Sequence, residues 1–113
     1  MKLNEIANTT VAEPETKNNT AKPKSYMCVL HNDDFTDGMA LIELIAKHFK
    51  HPKDYAQQIV MRAHEDGQCP CGGPYSKDEA ETRAHAAMEA AEIHPAIGGG
   101  PAPLLISVEE ITH

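Results

Sequence analysis

The strongest constraint on this 113-residue chain is a change of hydrophobic period between Tyr26 and Phe49. Tyr26–His31 (YMCVLH) is a short apolar run containing Tyr and Val, ended by Asn32-Asp33-Asp34, and reads as an interior strand closed by a turn. Gly38, Leu41, Ile42, Ile45 and Phe49 then fall at i, i+3, i+4, i+7 and i+11, one face of an amphipathic helix from about Asp37 to Lys50. Thr36 is the expected N-cap, with Asp37 in the first turn at the positive end of the helix dipole. A strand that turns directly into an amphipathic helix must bury that helix's apolar face against the sheet to which the strand belongs.

His51-Pro52 opens a second helix, with Pro52 at the first helical position, where its missing N–H costs nothing, and Gly67 closes it. Its apolar face is Tyr55, Ala56, Ile59, Val60 and Ala63, and His64, one turn beyond Val60, flanks that face. Gln68–Tyr75 (QCPCGGPY) is broken by two prolines and two glycines, which allows at best a short edge strand around Gly72 to Tyr75. Ser76-Lys77-Asp78-Glu79 is a capping box. It starts a third helix to about Ile93, whose thin stripe of Ala80, Ala84, Ala87, Met88 and Ala91 lets it sit close to a neighbour. A Gly/Pro-rich linker, His94 to Pro103, leads to a last strand, Leu104 to Val108, with Glu109 to His113 expected in solvent. The order strand-helix-helix-strand-helix-strand predicts an α+β fold, a small two-layer α/β sandwich with a three-stranded antiparallel sheet.

Residues 1–25 are rich in Asn, Thr, Lys, Glu and Pro without apolar periodicity and read as a disordered tail, leaving 26–110 as one domain. A domain of that size buries a little over ~60% of its unfolded surface, enough for a core without staples. Four lysines against three glutamates put the tail at +1, so the rest carries −8 of the total −7, which argues against nucleic acid as a partner. Cys28, Cys69 and Cys71 are an odd number and fit a reducing compartment better than secretion. No apolar run approaches the ~20 residues a membrane helix needs, and nothing near Met1 forms a signal-like apolar region. A monomer without a membrane or targeting segment is the expectation.

Asn32 and Asp34, joined by a neutral His64, gather acceptors suited to a primary ammonium, which carries three donors and a charge. A free protein N-terminus is such a group. Taken alone, Asn-Asp-Asp before a helix is most often only a turn and cap. His64, Cys69 and Cys71 invite a metal-binding or redox reading, but one residue between the cysteines is tighter than the usual C-x₂₋₄-C spacing and a fourth ligand is not apparent. No metal or cofactor is therefore assigned. With no Ser/His/Asp order, no phosphate loop and no pair of carboxylates expected at the mouth of an apolar cleft beyond Asp33 and Asp34, enzymatic activity is not expected.

Asn32-Asp33-Asp34-Phe35-Thr36 after a strand, Ala56, Gln58, His64 and Gly67 along the second helix, Cys71-Gly72, Ala80-Glu81-Thr82-Arg83 and Pro103-Leu104-Leu105 together resemble ClpS, the adaptor family of the Clp protease. The resemblance implies a non-enzymatic adaptor that binds destabilising N-terminal residues (Phe, Tyr, Trp, Leu) and delivers their proteins to a ClpA- or ClpC-like AAA+ unfoldase. It implies that Asn32, Asp34 and His64 bind the α-amino group. Asp33, Thr36, Gly38, Met39, Leu41, Val60, Ala63 and Leu104 would line or border the side-chain pocket. Asp78 and Arg83 would meet the unfoldase's N-terminal domain, the tail would engage it too, and the setting would be bacterial cytoplasm or plastid stroma. Gly38 stands where the family commonly has Met, Val60 replaces a long unbranched residue and Ala63 a Val, which implies a wider pocket with a shifted preference among large residues. The same departures keep open a protein that docks on the unfoldase and regulates or competes without delivering.

Overall fold

Strand β1 (Ser25–His31) buries Cys28, Val29 and Leu30 in succession, so both of its faces are covered and it can only be central. The computed structural model, which describes residues 23–98 and 103–112, places it between β2 (Gln68–Tyr75) and β3 (Ile106–Ile111) in the order β2-β1-β3, antiparallel on both sides. Helices α1 (Gly38–Phe49), α2 (Lys53–Asp66) and α3 (Lys77–Ile93) complete an α+β fold. Leu41, Leu44, Ile45 and Phe49 of α1, Ala56, Ile59 and Ala63 of α2, and four alanines of α3 share one core with Cys28, Leu30, Cys69, Cys71 and Ile106. The alanine stripe, Ala80, Ala84, Ala87 and Ala91, is buried throughout, with Met88 packed at its edge. Residues 1–22, which hold most of the expected tail, and 99–102 of the linker lie outside the described residues.

The element boundaries shift where side chains compete for the same backbone groups. Asp37, not Thr36, caps α1: its carboxylate accepts from the Ala40 amide at 3.0 Å, because the hydroxyl and amide of Thr36 are already held by Asp33. Pro52 is the N-cap of α2 and not its first helical residue, its carbonyl accepting from the Ala56 amide at 2.9 Å. Ser76 caps α3, accepting from the Glu79 amide at 3.1 Å, while the Glu79 carboxylate turns to Arg83. β2 is longer than expected and runs the full Gln68–Tyr75. Its prolines are tolerated on an edge strand, and Cys69 and Cys71 point inward at period two. β3 begins two residues later and ends three residues later than expected, so Glu109, Glu110 and Ile111 belong to the sheet. Pairing with β1 from Leu30↔Ile106 to Ser25↔Ile111 decides this, since an edge strand can present carboxylates outward and still complete its ladder.

Arg83 ties three elements together. Its Nη1 donates to the His48 carbonyl in the last turn of α1 at 3.0 Å, its Nη2 meets Glu79 at 2.9 Å, and its guanidinium lies 5.0 Å from the centre of the Tyr75 ring. The carbonyl it takes is one that helix ends leave without an intrahelical partner. Burial pushes up the thiols of Cys28, Cys69 and Cys71, most of all Cys71.

Two glycines differ in sign. A Cβ on Gly72 would lie 2.6 Å from the ring of buried Phe49, whereas one on Gly38, the first residue of α1, meets nothing within 4 Å. Gly72→Ala is expected to cost about 1–3 kcal/mol by overpacking, and Gly38→Ala to gain about 0.4–1 kcal/mol by restricting the unfolded chain; urea midpoints moving in the same direction for both would overturn this packing. The same core predicts that Ellman's reagent at pH 8 labels the three thiols slowly in native protein and at once in guanidinium. Fast native labelling of Cys28 or Cys71 would contradict it.

Candidate functional site

At the end of β1 the amides keep alternating between its two neighbours, as those of a central strand do. The His31 amide donates to the Leu105 carbonyl at 3.1 Å, on the β3 side, and the next amide, that of Asn32, donates to the Gly67 carbonyl at 3.0 Å, on the α2 side. Gly67 can serve because it ends α2 at φ 90, a left-handed conformation natural to glycine, its own amide bonded to Ala63 at 2.8 Å. This seats Asn32 beside the last turn of α2, where His64 stands.

The following turn is organised by one carboxylate. Asp33 Oδ1 accepts from the amides of Phe35 and Thr36 at 2.8 and 2.7 Å, and both of its oxygens accept from the Thr36 hydroxyl at 2.8 and 2.6 Å. Asp33 is thereby spent on positioning. Among the described residues, the side chains of Asn32, Asp34 and His64 make no hydrogen bond or ion pair, which leaves their polar atoms to a ligand.

Between this turn, the start of α1 and the length of α2 opens a cleft of about 370 Å³, at the small end for ligand sites. Leu30, Leu41 and Ala63 form buried parts of its wall, Ile42 and Val60 are half-buried, and Met39 and Met61 stand at the mouth, 74% and 54% exposed. Its polar lining includes Asn32, Asp33, His64, Gln57 and Glu65. His31 borders it too, its ring 2.8 Å from the Ser107 hydroxyl.

The structure thus brings to one cleft Asn32, Asp33, Thr36, Gly38, Met39, Leu41, Val60, Ala63 and His64. Asp34 is exposed next to Asn32 but outside the lining. Leu104 is placed elsewhere: it is buried in the segment before β3 and borders a second groove with His85 and Met88 of α3, a consequence of β3 starting only at Ile106. Asp78 is exposed at the start of α3, while the guanidinium of Arg83 is engaged within the chain. No group of three His, Cys, Asp or Glu is placed to hold a metal ion among the described residues. Sequence reasoning missed Gln57, Met61 and Glu65. The available signal was their spacing, since Gln57, Val60, Met61 and His64 follow i, i+3, i+4 and i+7 on α2.

No helix of the described residues is long and apolar enough to cross a membrane. The family model for ATP-dependent Clp protease adaptor protein ClpS matches residues 21–105. The ClpS adapter protein of Variovorax paradoxus is 39% identical over 72 residues, which cover 64% of this chain and 60% of that protein. ClpS 2 of Mesorhizobium japonicum is 37% identical over 82 residues, 73% of this chain and 80% of that protein. The structure of Agrobacterium tumefaciens ClpS2 bound to L-phenylalaninamide is similar at a TM-score of 0.69 and 26% identity, covering 80% of this chain and all (100%) of that one. With a family match over most of its length, a shared α+β architecture and relatives named as adapters, this chain belongs to the ClpS family of Clp protease adaptors, which are not enzymes.

Proposed function

We propose that this adaptor is an N-degron receptor, which holds a substrate protein by a destabilising N-terminal residue (Phe, Tyr, Trp or Leu) and delivers it to a ClpA- or ClpC-like AAA+ unfoldase. The observation that carries this reading is that Asn32 and His64 line one largely apolar cleft with side chains that make no hydrogen bond among the described residues. A terminal residue offers both halves of a ligand for it, an ammonium with three donors and an adjoining side chain. L-phenylalaninamide, held by the related ClpS2, has that same pair, a free α-amino group beside a benzyl group.

In this reading Asn32, Asp34 and His64 accept from the α-ammonium, and the apolar walls take the side chain. The two halves do unequal jobs. Acceptors desolvated by a ligand that lacks donors go unpaired, so a missing amine is penalised severely, whereas a change of one methylene in an apolar wall is worth only about 1–3 kcal/mol. The amine decides whether a chain binds, and the side chain ranks those that do. Val60, Ala63 and the open space at Gly38 widen the apolar part and shift the ranking among large side chains. Docking uses the exposed side of α3 at Asp78, with Arg83 holding that helix start in place, and residues 1–25 engage the unfoldase. The bacterial cytoplasm, where buried thiols stay reduced, is the setting.

Fluorescence anisotropy with labelled peptides tests this directly. Free-amine peptides beginning with Phe, Tyr, Trp or Leu are expected to bind, and their N-acetylated forms to bind at least about tenfold more weakly. His64→Ala and Asp34→Ala should each lose about 10- to 100-fold, the size of a hydrogen bond to a charged group. Equal binding of acetylated and free peptides, or no binding of any free terminus, would sink the proposal.

A further inference from the structure

Gln57 is one of the polar residues of the cleft that amine recognition does not use, and we infer that it reads the far end of the bound side chain, favouring those tipped with a hydrogen-bonding group. This rests on the N-degron reading above. Gln57 and His64 both line the cleft from α2, seven residues apart, with Val60 and Met61 between them on the same side. Seven residues of helix rise about 10 Å. That length matches an aromatic residue lying along the helix with one hydrogen bond of about 3 Å at its distal tip. The direction is fixed by the amine end: the Asn32 amide is anchored to Gly67, at the C-terminal end of α2, so a ligand held by Asn32 and His64 extends its side chain toward the N-terminal half, where Gln57 is.

Ile42 and Met39 from α1 and Val60 and Met61 from α2 supply apolar lining to the same cleft. A purely apolar end would disfavour Tyr against Phe, because the hydroxyl would be desolvated without a partner. Gln57 makes no side-chain hydrogen bond among the described residues, and its amide offers an acceptor oxygen and two donors. The acceptor suits a tyrosine hydroxyl or an indole N–H, which can only donate. Leucine and phenylalanine have nothing for it, so they leave the amide to water. The ligand class is therefore an N-terminal residue that is large, apolar along its length and a donor at its tip, Tyr and Trp above Phe and Leu.

Gln57 is exposed on α2 and outside the core, so its replacement leaves the fold intact. Peptides identical except for an N-terminal Tyr, Trp, Phe or Leu would be titrated by anisotropy against wild type, Gln57→Leu and Gln57→Glu. The Tyr-over-Phe affinity ratio is expected to fall about three- to tenfold in Gln57→Leu, with Phe binding unchanged or tighter. Gln57→Glu, which keeps an acceptor, should preserve the ratio. A ratio that does not move in Gln57→Leu while Phe peptides bind overturns this inference and spares the N-degron reading. Loss of all four peptides equally in Gln57→Leu also overturns it, because a general wall contact would act that way. Failure of wild type to bind any of them overturns both.

Discussion

One backbone hydrogen bond, from the Asn32 amide to the Gly67 carbonyl, places the halves of the site relative to each other. The preceding amide, that of His31, pairs on the opposite side of β1. The Asn32 bond extends the β1–β2 ladder one residue past His31↔Gln68, and because Gly67 both precedes β2 and ends α2, it brings the turn beside α2. The bond uses only main chain, so it fixes the position of Asn32 while leaving its amide side chain to a ligand. It also satisfies the carbonyl of a helix cap at a residue, Gly67, whose φ of 90 a side chain would disfavour. Strand end, helix end and candidate amine site are thus set by a single register.

Around that bond, charged groups fall into those spent on architecture and those left over. Asp33 and Asp34 are neighbours of identical chemistry, yet Asp33 accepts from two amides and one hydroxyl of Phe35 and Thr36, and Asp34 is exposed with no side-chain bond among the described residues. Charge-assisted bonds to backbone amides hold Asp33 in one orientation, and through Thr36 they pass the capping of α1 on to Asp37. Arg83 plays the matching part on the other side of the fold, using its flat guanidinium to join the end of α1, the start of α3 and Tyr75. Both groups act by excluding alternatives for the backbone. Recognition is left to residues whose polar atoms the fold does not need.

The parts legible in sequence are those where burial and period agree. The helices, the Ala80–Ala91 stripe and the central strand all carry their neighbours' requirements in their own spacing. The errors lie where a neighbour decides. Thr36 and Asp37 are both good caps, and only the bonds to Asp33 separate them. The glycines and prolines of Gln68–Tyr75 argue against a strand until it is known that β1 lies beside it and nothing lies beyond. Glu109 and Glu110 look like a solvated tail until they are paired with β1. For the site, Asn32 and His64 were readable as chemistry, but Gln57 and Met61 were not, since nothing local says that the exposed stripe of α2 becomes the wall of a cleft once α1 leans over it.

The apolar residues left in solvent follow from this division. Because α3 contributes only alanines to the core, it can approach the sheet closely, and among the helices the large aliphatic side chains come from α1 and α2. Those two helices also carry the exposed Met39 and Met61, and Phe35 sits in the turn beside them. Single exposed apolar residues are ordinary. Two unbranched thioethers lining one small cleft are different, because they can adjust to several side-chain shapes at little cost in strain. An adaptor has to accept many proteins and then give them up. A cleft with exposed polar groups at Asn32 and His64 and flexible thioethers in its lining suits that task, since the thioethers can yield to side chains of different shape.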